Sequence, residues 1–144
     1  MFGGTGNDYI DTGFGNDKAW GGAGNDTIYG GAGLDILSGE AGNDSLYLGL
    51  NDNAVDTVKY ASGDGTDTIY QFVRGVGGDK LQFTGIANID VVKSGTSTQL
   101  RIGDGLAGNT GFGTGQLLAT ISGTSGFISS DVNVNLFGAN FLFT

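Results

Sequence analysis

The chain has 144 residues, thirty of them glycine, no cysteine, histidine or proline, and a formal charge of −9 from fifteen acidic residues against six basic ones. Without thiolate or imidazole there can be no disulfide staple and no sulfur or nitrogen metal site, so any bound metal must be held by oxygen. The acidic balance argues against nucleic acid or an anionic membrane surface as a partner and favours cations, and no apolar run approaches the ~18 residues needed for a membrane span.

The length suits one compact domain or two small ones. Glycine loses more backbone entropy on ordering than any other residue, so a glycine-laden chain needs something besides apolar burial to hold it together. The amino end lacks the basic and apolar regions of a secretory signal peptide. Met1-Phe2 runs straight into a repeat, and the expectation is a fragment of a longer protein with an added start residue, any export signal lying elsewhere.

From the start of the chain, Gly3-Gly4-Thr5-Gly6-Asn7-Asp8-Tyr9-Ile10-Asp11 sets a pattern that recurs every nine residues. The units Thr12 to Trp20, Gly21 to Tyr29, Gly30 to Ser38 and Gly39 to Tyr47 follow without insertion and place Asp17, Asp26, Asp35 and Asp44 at the sixth position. The eighth position is apolar in all five units, with Ile10, Ala19, Ile28, Leu37 and Leu46. Each unit therefore predicts a glycine-rich turn and then a very short strand that sends one aliphatic side chain inward. Between Leu48 and Lys59 a three-residue insertion brings Asp56 to the sixth place and Val58 to the eighth. Ser62 to Tyr70 restores the pattern with Asp67 and Ile69, and Arg74 to Gln82 follows it more loosely with Asp79 and Leu81, making eight units.

These units resemble the RTX family of type I-secreted proteins, with its GGxGxDxUx signature, over roughly residues 3 to 82. The resemblance implies a right-handed parallel β-roll in which two nonapeptides make one turn, so that loops two units apart stack on the same edge. It also implies calcium as the cofactor, several ions with at least three expected. The residue chemistry agrees. Calcium takes about six to eight hard oxygen ligands, carboxylates mixed with backbone carbonyls. Glycine admits φ > 0 and lets carbonyls turn toward one cavity, and aspartate keeps its oxygens close to the backbone. Strands stack about 4.8 Å apart, which makes the aspartates of one edge neighbouring like charges until a cation intervenes.

The family's ligand pattern implies that each ion takes carbonyls from the second and fourth positions of one loop, carbonyls from the first and third positions two loops later, and both Asp side chains. On one edge this sets Gly4, Gly6 and Asp8 opposite Gly21, Ala23 and Asp26, then Gly22, Gly24 and Asp26 opposite Gly39, Ala41 and Asp44, with Gly42 and Asp67 extending the row. On the other edge Gly13, Gly15 and Asp17 face Gly30, Ala32 and Asp35, with Gly31, Gly33, Asp56 and Asp79 continuing it. The off-register Asp11, Asp52, Asp64, Asp90, Asp104 and Asp131 are expected on the surface or in turns.

Beyond the repeats, Ile89 to Lys93 and Thr98 to Ile102, joined across Ser94-Gly95-Thr96, predict a hairpin. The glycine-rich stretch from Gly103 to Gly115 predicts a loop, and strands are expected at Gln116 to Ser122 and near Val132 to Phe143. The organisation expected is a roll over 1–82 and a β cap over 83–144 that closes the roll's last edge. The segment from Asp56 to Phe83 and the apolar ending Asn140 to Thr144 are similar to the carboxy-terminal ends of large RTX proteins, where an uncleaved export signal is read. That implies an extracellular location and the type I secretion machinery as a partner.

Positions seven and nine point outward, so Asp11, Tyr29, Tyr47 and Tyr70 are expected in one row. The alternatives for it are a saccharide or cell-surface contact and plain cross-strand aromatic pairing. Trp20 lies on the opposite sheet with no site around it. Catalysis is not expected, because the aspartates follow a stacking rule and no histidine, cysteine or base-activated serine arrangement exists. RTX modules do accompany secreted enzymes, which leaves activity to a parent protein. An ice-binding surface is disfavoured by the mixed seventh rows, Tyr9, Thr27, Ser45 and Thr68 on one sheet and Lys18, Ile36, Thr57 and Lys80 on the other.

Overall fold

The computed structural model describes residues 1–49, 52–73, 77–86, 89–103, 115–123, 132–133 and 140–143. These residues hold no helix and fourteen strands, so the protein is all-β, as expected. Nine strands come from the repeats: β1 (Phe2–Thr5), β2 (Tyr9–Asp11), β3 (Lys18–Ala23), β4 (Thr27–Tyr29), β5 (Ile36–Ala41), β6 (Ser45–Tyr47), β7 (Thr57–Ala61), β8 (Asp67–Tyr70) and β9 (Lys80–Thr84). The rest are β10 (Ile89–Ser94), β11 (Ser97–Ile102), β12 (Leu117–Ile121), β13 (Val132–Asn133) and β14 (Asn140–Phe143).

Successive repeat strands alternate between two sheets, one ordered β1-β3-β5-β7-β9-β14-β13 and the other β10-β11-β12-β8-β6-β4-β2. Every pairing among β1 to β9 is parallel, which is the β-roll. The nine-residue period sets the register. Ile10 lies beside Ile28, Ile28 beside Leu46 and Leu46 beside Ile69, while Ala19 lies beside Leu37, Leu37 beside Val58 and Val58 beside Leu81. Within each strand alternate residues face opposite ways, so the eighth positions point between the sheets. All eight are buried there, and Tyr60, Phe72, Phe83, Leu100, Leu118 and Ile121 continue the same core.

Close stacking of the turns requires glycine. A Cβ on Gly22 (φ +113°) would lie 2.1 Å from the carbonyl oxygen of Gly4, and one on Gly24 (φ +132°) would lie 2.0 Å from that of Gly6. An l-side chain is excluded there twice, by space and by backbone conformation.

The later strands extend both sheets. β12 joins β8 in parallel, with Ile121 beside Ile69, and β11 and β10 add as an antiparallel hairpin. The expected hairpin is present, its turn passing through Gly95 at φ +62°. On the other sheet β14 runs antiparallel to β9 and β13 pairs with β14. Arg74, Asp104, Asp131, most of the loop expected from Gly103 to Gly115 and the middle of the strand expected from Val132 to Phe143 lie outside the described residues. No helix among the described residues is long and apolar enough to cross a membrane.

The outer faces carry the expected rows. Asp11, Tyr29, Tyr47 and Tyr70 pair in sequence along one sheet. On the other, Trp20 stacks on Phe2, ring centroids 4.6 Å apart.

Candidate metal centre

Each edge of the roll carries one row of sixth-position aspartates, held in line by a repeated bond. On one edge the amide of Asp8 donates to Oδ1 of Asp26 at 2.7 Å, that of Asp26 to Asp44 at 2.7 Å and that of Asp44 to Asp67 at 3.0 Å. On the other edge Asp17 donates to Asp35 at 2.8 Å, Asp35 to Asp56 at 2.9 Å and Asp56 to Asp79 at 2.9 Å. The insertions in the later repeats are absorbed in the loops, since the bonded pairs span 18 residues early, 21 at Asp35 and 23 at Asp44 and Asp56, while the bond itself is unchanged.

That bond uses one carboxylate oxygen. The other, Oδ2, is buried without a hydrogen-bond partner at Asp26, Asp35 and Asp44, and so is Oδ2 of Asp8, which heads its row and donates the repeated bond without accepting one. A buried, unsatisfied anionic oxygen costs several kcal/mol unless a cation or proton neutralises it, and four of them recur by rule. Backbone oxygens gather close by. A Cβ on Gly21 would lie 2.2 Å from Asp26 Oδ2 and 2.7 Å from the carbonyl oxygen of Gly39, and one on Gly3 would lie 2.5 Å from the carbonyl oxygen of Gly21 and 2.7 Å from Asp8 Oδ2. On the other edge a Cβ on Gly30 would lie 2.9 Å from Asp35 Oδ2 and 3.0 Å from the carbonyl oxygen of Leu48. Carboxylate and carbonyl oxygens thus converge on the cradle that the missing side chain leaves.

The third-position carbonyls of Ala23, Ala32 and Ala41 accept the amides of Gly6, Gly15 and Gly24 at 2.7 to 2.8 Å, and each keeps a second lone pair. Asp79 differs from the rest, since its Oδ1 accepts from Asp56 and its Oδ2 accepts the amide of Val73 at 2.8 Å. Among the described residues no three acidic side chains converge as a ready-made cluster. A cation held here would need backbone carbonyls as well as aspartate, which suits calcium's high coordination number and tolerance of mixed oxygen ligands.

The electrostatics agree. Burial, as the largest cause, raises the carboxyls of Asp35, Asp44, Asp56, Asp67 and Asp79 above the ordinary range, with neighbouring aspartates adding to the rise. Asp56 reaches about 7 and Asp67 about 8. Rows of carboxyls that resist ionisation side by side form a site that a divalent cation would relieve.

Two features of the loops escaped the sequence reading. At the fifth position the amide of Asn25 donates to Oδ1 of Asn7 at 2.9 Å, Leu34 to Asn16 at 2.9 Å, Asn43 to Asn25 at 3.0 Å and Thr66 to Asn43 at 3.1 Å. The signal was the recurrence of asparagine immediately before the aspartate. Asp52, expected at the surface or in a turn, lies in a turn and also reaches beyond it. Its Oδ1 accepts the amide of Ala54 in a local turn at 3.0 Å, and its Oδ2 accepts Gly33 from the preceding turn of the roll at 2.8 Å. These two amides hold its carboxyl below the usual range.

Residues 2–37 and 20–55 match the family model of the RTX calcium-binding nonapeptide repeat in four copies. No curated protein matches the chain.

Proposed function

We propose that this chain, whose residues 2–55 are RTX calcium-binding nonapeptide repeats, is the calcium-folded export module at the carboxy-terminal end of a larger secreted protein. Binding of calcium is the property of the repeat itself. The reading beyond it rests on one observation above all, the four carboxylate oxygens of Asp8, Asp26, Asp35 and Asp44 that are buried without a partner. The ligand cage is absent from an unfolded chain, so the free energy of binding is free energy of folding. A chain that stays unfolded where calcium is scarce and folds where it is abundant is suited to passage through a channel.

In this reading at least three ions lie along the two rows. One edge uses Gly4, Gly6 and Asp8 with Gly21, Ala23 and Asp26, then Gly22, Gly24 and Asp26 with Gly39, Ala41 and Asp44. The other uses Gly13, Gly15 and Asp17 with Gly30, Ala32 and Asp35. Asp56 and Asp67 extend the rows, and Asp79 closes one of them with both oxygens engaged by amides. Residues 1–82 act as the roll and 83–144 as its cap, outside the cell. The repeat family is a non-catalytic one, and any chemistry belongs to a parent protein. A saccharide platform has less support, because Tyr29, Tyr47 and Tyr70 turn their flat faces to one another.

The test is circular dichroism with calcium titrated in and then chelated, alongside calorimetric stoichiometry. A β signal that appears with calcium, vanishes in EGTA and accompanies three or more bound ions supports the reading. An ordered chain after exhaustive chelation at pH 8 would sink it.

A further inference from the structure

The outer face of the second sheet holds a column of tyrosines whose geometry serves no purpose in cation binding. Tyr29 and Tyr47 stack with ring centroids 4.3 Å apart and planes within 7°, and Tyr47 and Tyr70 stack at 4.4 Å and 7°. Tyr9 leans on the end of the column, 5.4 Å from Tyr29 and tilted by 43°. Tyr9 is 69 % exposed, while Tyr29, Tyr47 and Tyr70 are half-buried. Burial raises the hydroxyl of Tyr47 above its ordinary range, and the side chains of both Tyr29 and Tyr70 act on it. Tyr60 is apart from the column, buried and tilted against Phe83 in the core.

We propose that this column is an oxidative cross-linking site, at which a haem-peroxidase-type oxidant couples Tyr47 to Tyr29 or Tyr70 through a carbon–carbon bond between the rings. Two phenols each give one electron to the oxidant and one proton to solvent. The two phenoxyl radicals join at ring carbons next to the hydroxyls, and the ring hydrogens displaced there return to the phenol oxygens as aromaticity is restored. Hydrogen peroxide takes up the two electrons and two protons and leaves as two waters. The product has lost two hydrogens in all.

The column favours coupling within one molecule for two reasons. Radicals must meet before they are quenched, and the parallel register holds the rings of Tyr29 and Tyr47 in contact although they lie a full turn of the roll apart in sequence, the gain of a prealigned intramolecular reaction. Stacked rings also share an unpaired electron, so oxidation of the exposed Tyr9 can pass to the inner members. In a chain without cysteine, such a link does the work of a disulfide. It closes one turn of the roll covalently and restricts the unfolded chain.

The test treats the full chain in calcium with a haem peroxidase and limiting hydrogen peroxide, and compares it with the same chain unfolded in urea. Monomers lighter by two hydrogens, dityrosine fluorescence and a linked peptide pair containing Tyr29 with Tyr47, or Tyr47 with Tyr70, are expected. Their yield should be several-fold higher in the folded chain. Tyr47→Phe keeps the ring and the stack but should cut that yield several-fold, while Tyr60→Phe should leave it unchanged; circular dichroism of each variant checks that it folds. Equal yields in urea, links only between molecules at every dilution, oxygen added at Trp20 or Met1 without any link, or an unchanged yield in Tyr47→Phe would each overturn the proposal.

Discussion

The amide of Asp26 donates to Oδ1 of Asp44 across one turn of the roll at 2.7 Å, and Asp26 receives the amide of Asp8 in the same way. Asp26 is therefore a middle member of its row, and Asp8 is the first. If each ion takes both flanking aspartates, Asp26→Ala removes ligands from two sites and Asp8→Ala from one. Each ion lost withdraws about 2.7 kcal/mol at a calcium concentration a hundred times its Kd. Asp26→Ala should therefore raise the calcium midpoint more than Asp8→Ala and bind fewer ions by calorimetry. Equal midpoints would tell against shared ligation.

The raised carboxyls give the calcium-free chain an unusual pH dependence. Asp67 at about 8 and Asp56 at about 7 have folded pKa values well above the unfolded value of about 3.9, with burial the main cause. The folded chain then holds more protons than the unfolded one, so stability falls as pH rises. This contribution is complete below about pH 4 and is lost through about pH 7 to 8. Without calcium, the β signal should be strongest in acid and fade toward pH 8. With calcium the trend reverses, because protons compete for the same oxygens and the calcium midpoint should rise as pH falls. A calcium-free signal that grows from acid to pH 8 would contradict the burial of these groups.

Glu40 occupies a second position, where Gly4, Gly13, Gly22 and Gly31 all have φ between +85° and +113°, and it has φ +68° beside Gly22 in the register. A left-handed conformation costs a residue with a side chain about 1 to 2 kcal/mol, and glycine recovers most of this while adding unfolded-state entropy. Glu40 is exposed, so its side chain contributes little packing. Glu40→Gly should stabilise the calcium-loaded chain by up to about 1 kcal/mol in urea denaturation. A clear destabilisation would show that the carboxylate has a role the backbone conformation conceals.

The roll was legible in the sequence because its rule is local and repeated. The recurrence of Ile10, Ile28 and Leu46 gives the short strands and their inward side chains by strand geometry, and the resemblance to the RTX family adds the parallel pairing two units apart and the two aspartate rows. The rule fails where insertions break the count. Nothing in the spacing of Asp52 announces that one of its oxygens reaches back to Gly33, and nothing periodic in Leu117 to Ile121 says that this strand joins β8 in parallel. The tilt of Tyr9 onto Tyr29 is likewise a matter of side-chain packing across neighbouring rows. The asparagines recur with the same period as the aspartates, and spacing alone does not say that their side chains accept amides from the following turn.

Those asparagines separate two kinds of cohesion along one edge. In the aspartate row each amide donates to the carboxylate of the following turn, as Asp26 does to Asp44. In the asparagine row each amide donates to the side chain of the preceding turn, as Asn25 does to Asn7 and Asn43 to Asn25. The first acceptors are carboxyl groups, and at Asp26 and Asp44 the other oxygen is buried without a partner; the second are neutral amides, exposed at Asn7 and Asn25. Asn25→Ala leaves the amide of Asn43 without its acceptor, and a neutral hydrogen bond at an exposed site contributes about 0.5 to 1.5 kcal/mol. Asn25→Ala should therefore lower stability in saturating calcium by about 1 kcal/mol without changing the number of ions bound, whereas Asp26→Ala should change that number. Calorimetry and urea denaturation on the two variants check this together, and a drop in ion count for Asn25→Ala would place the asparagine row among the metal's supports.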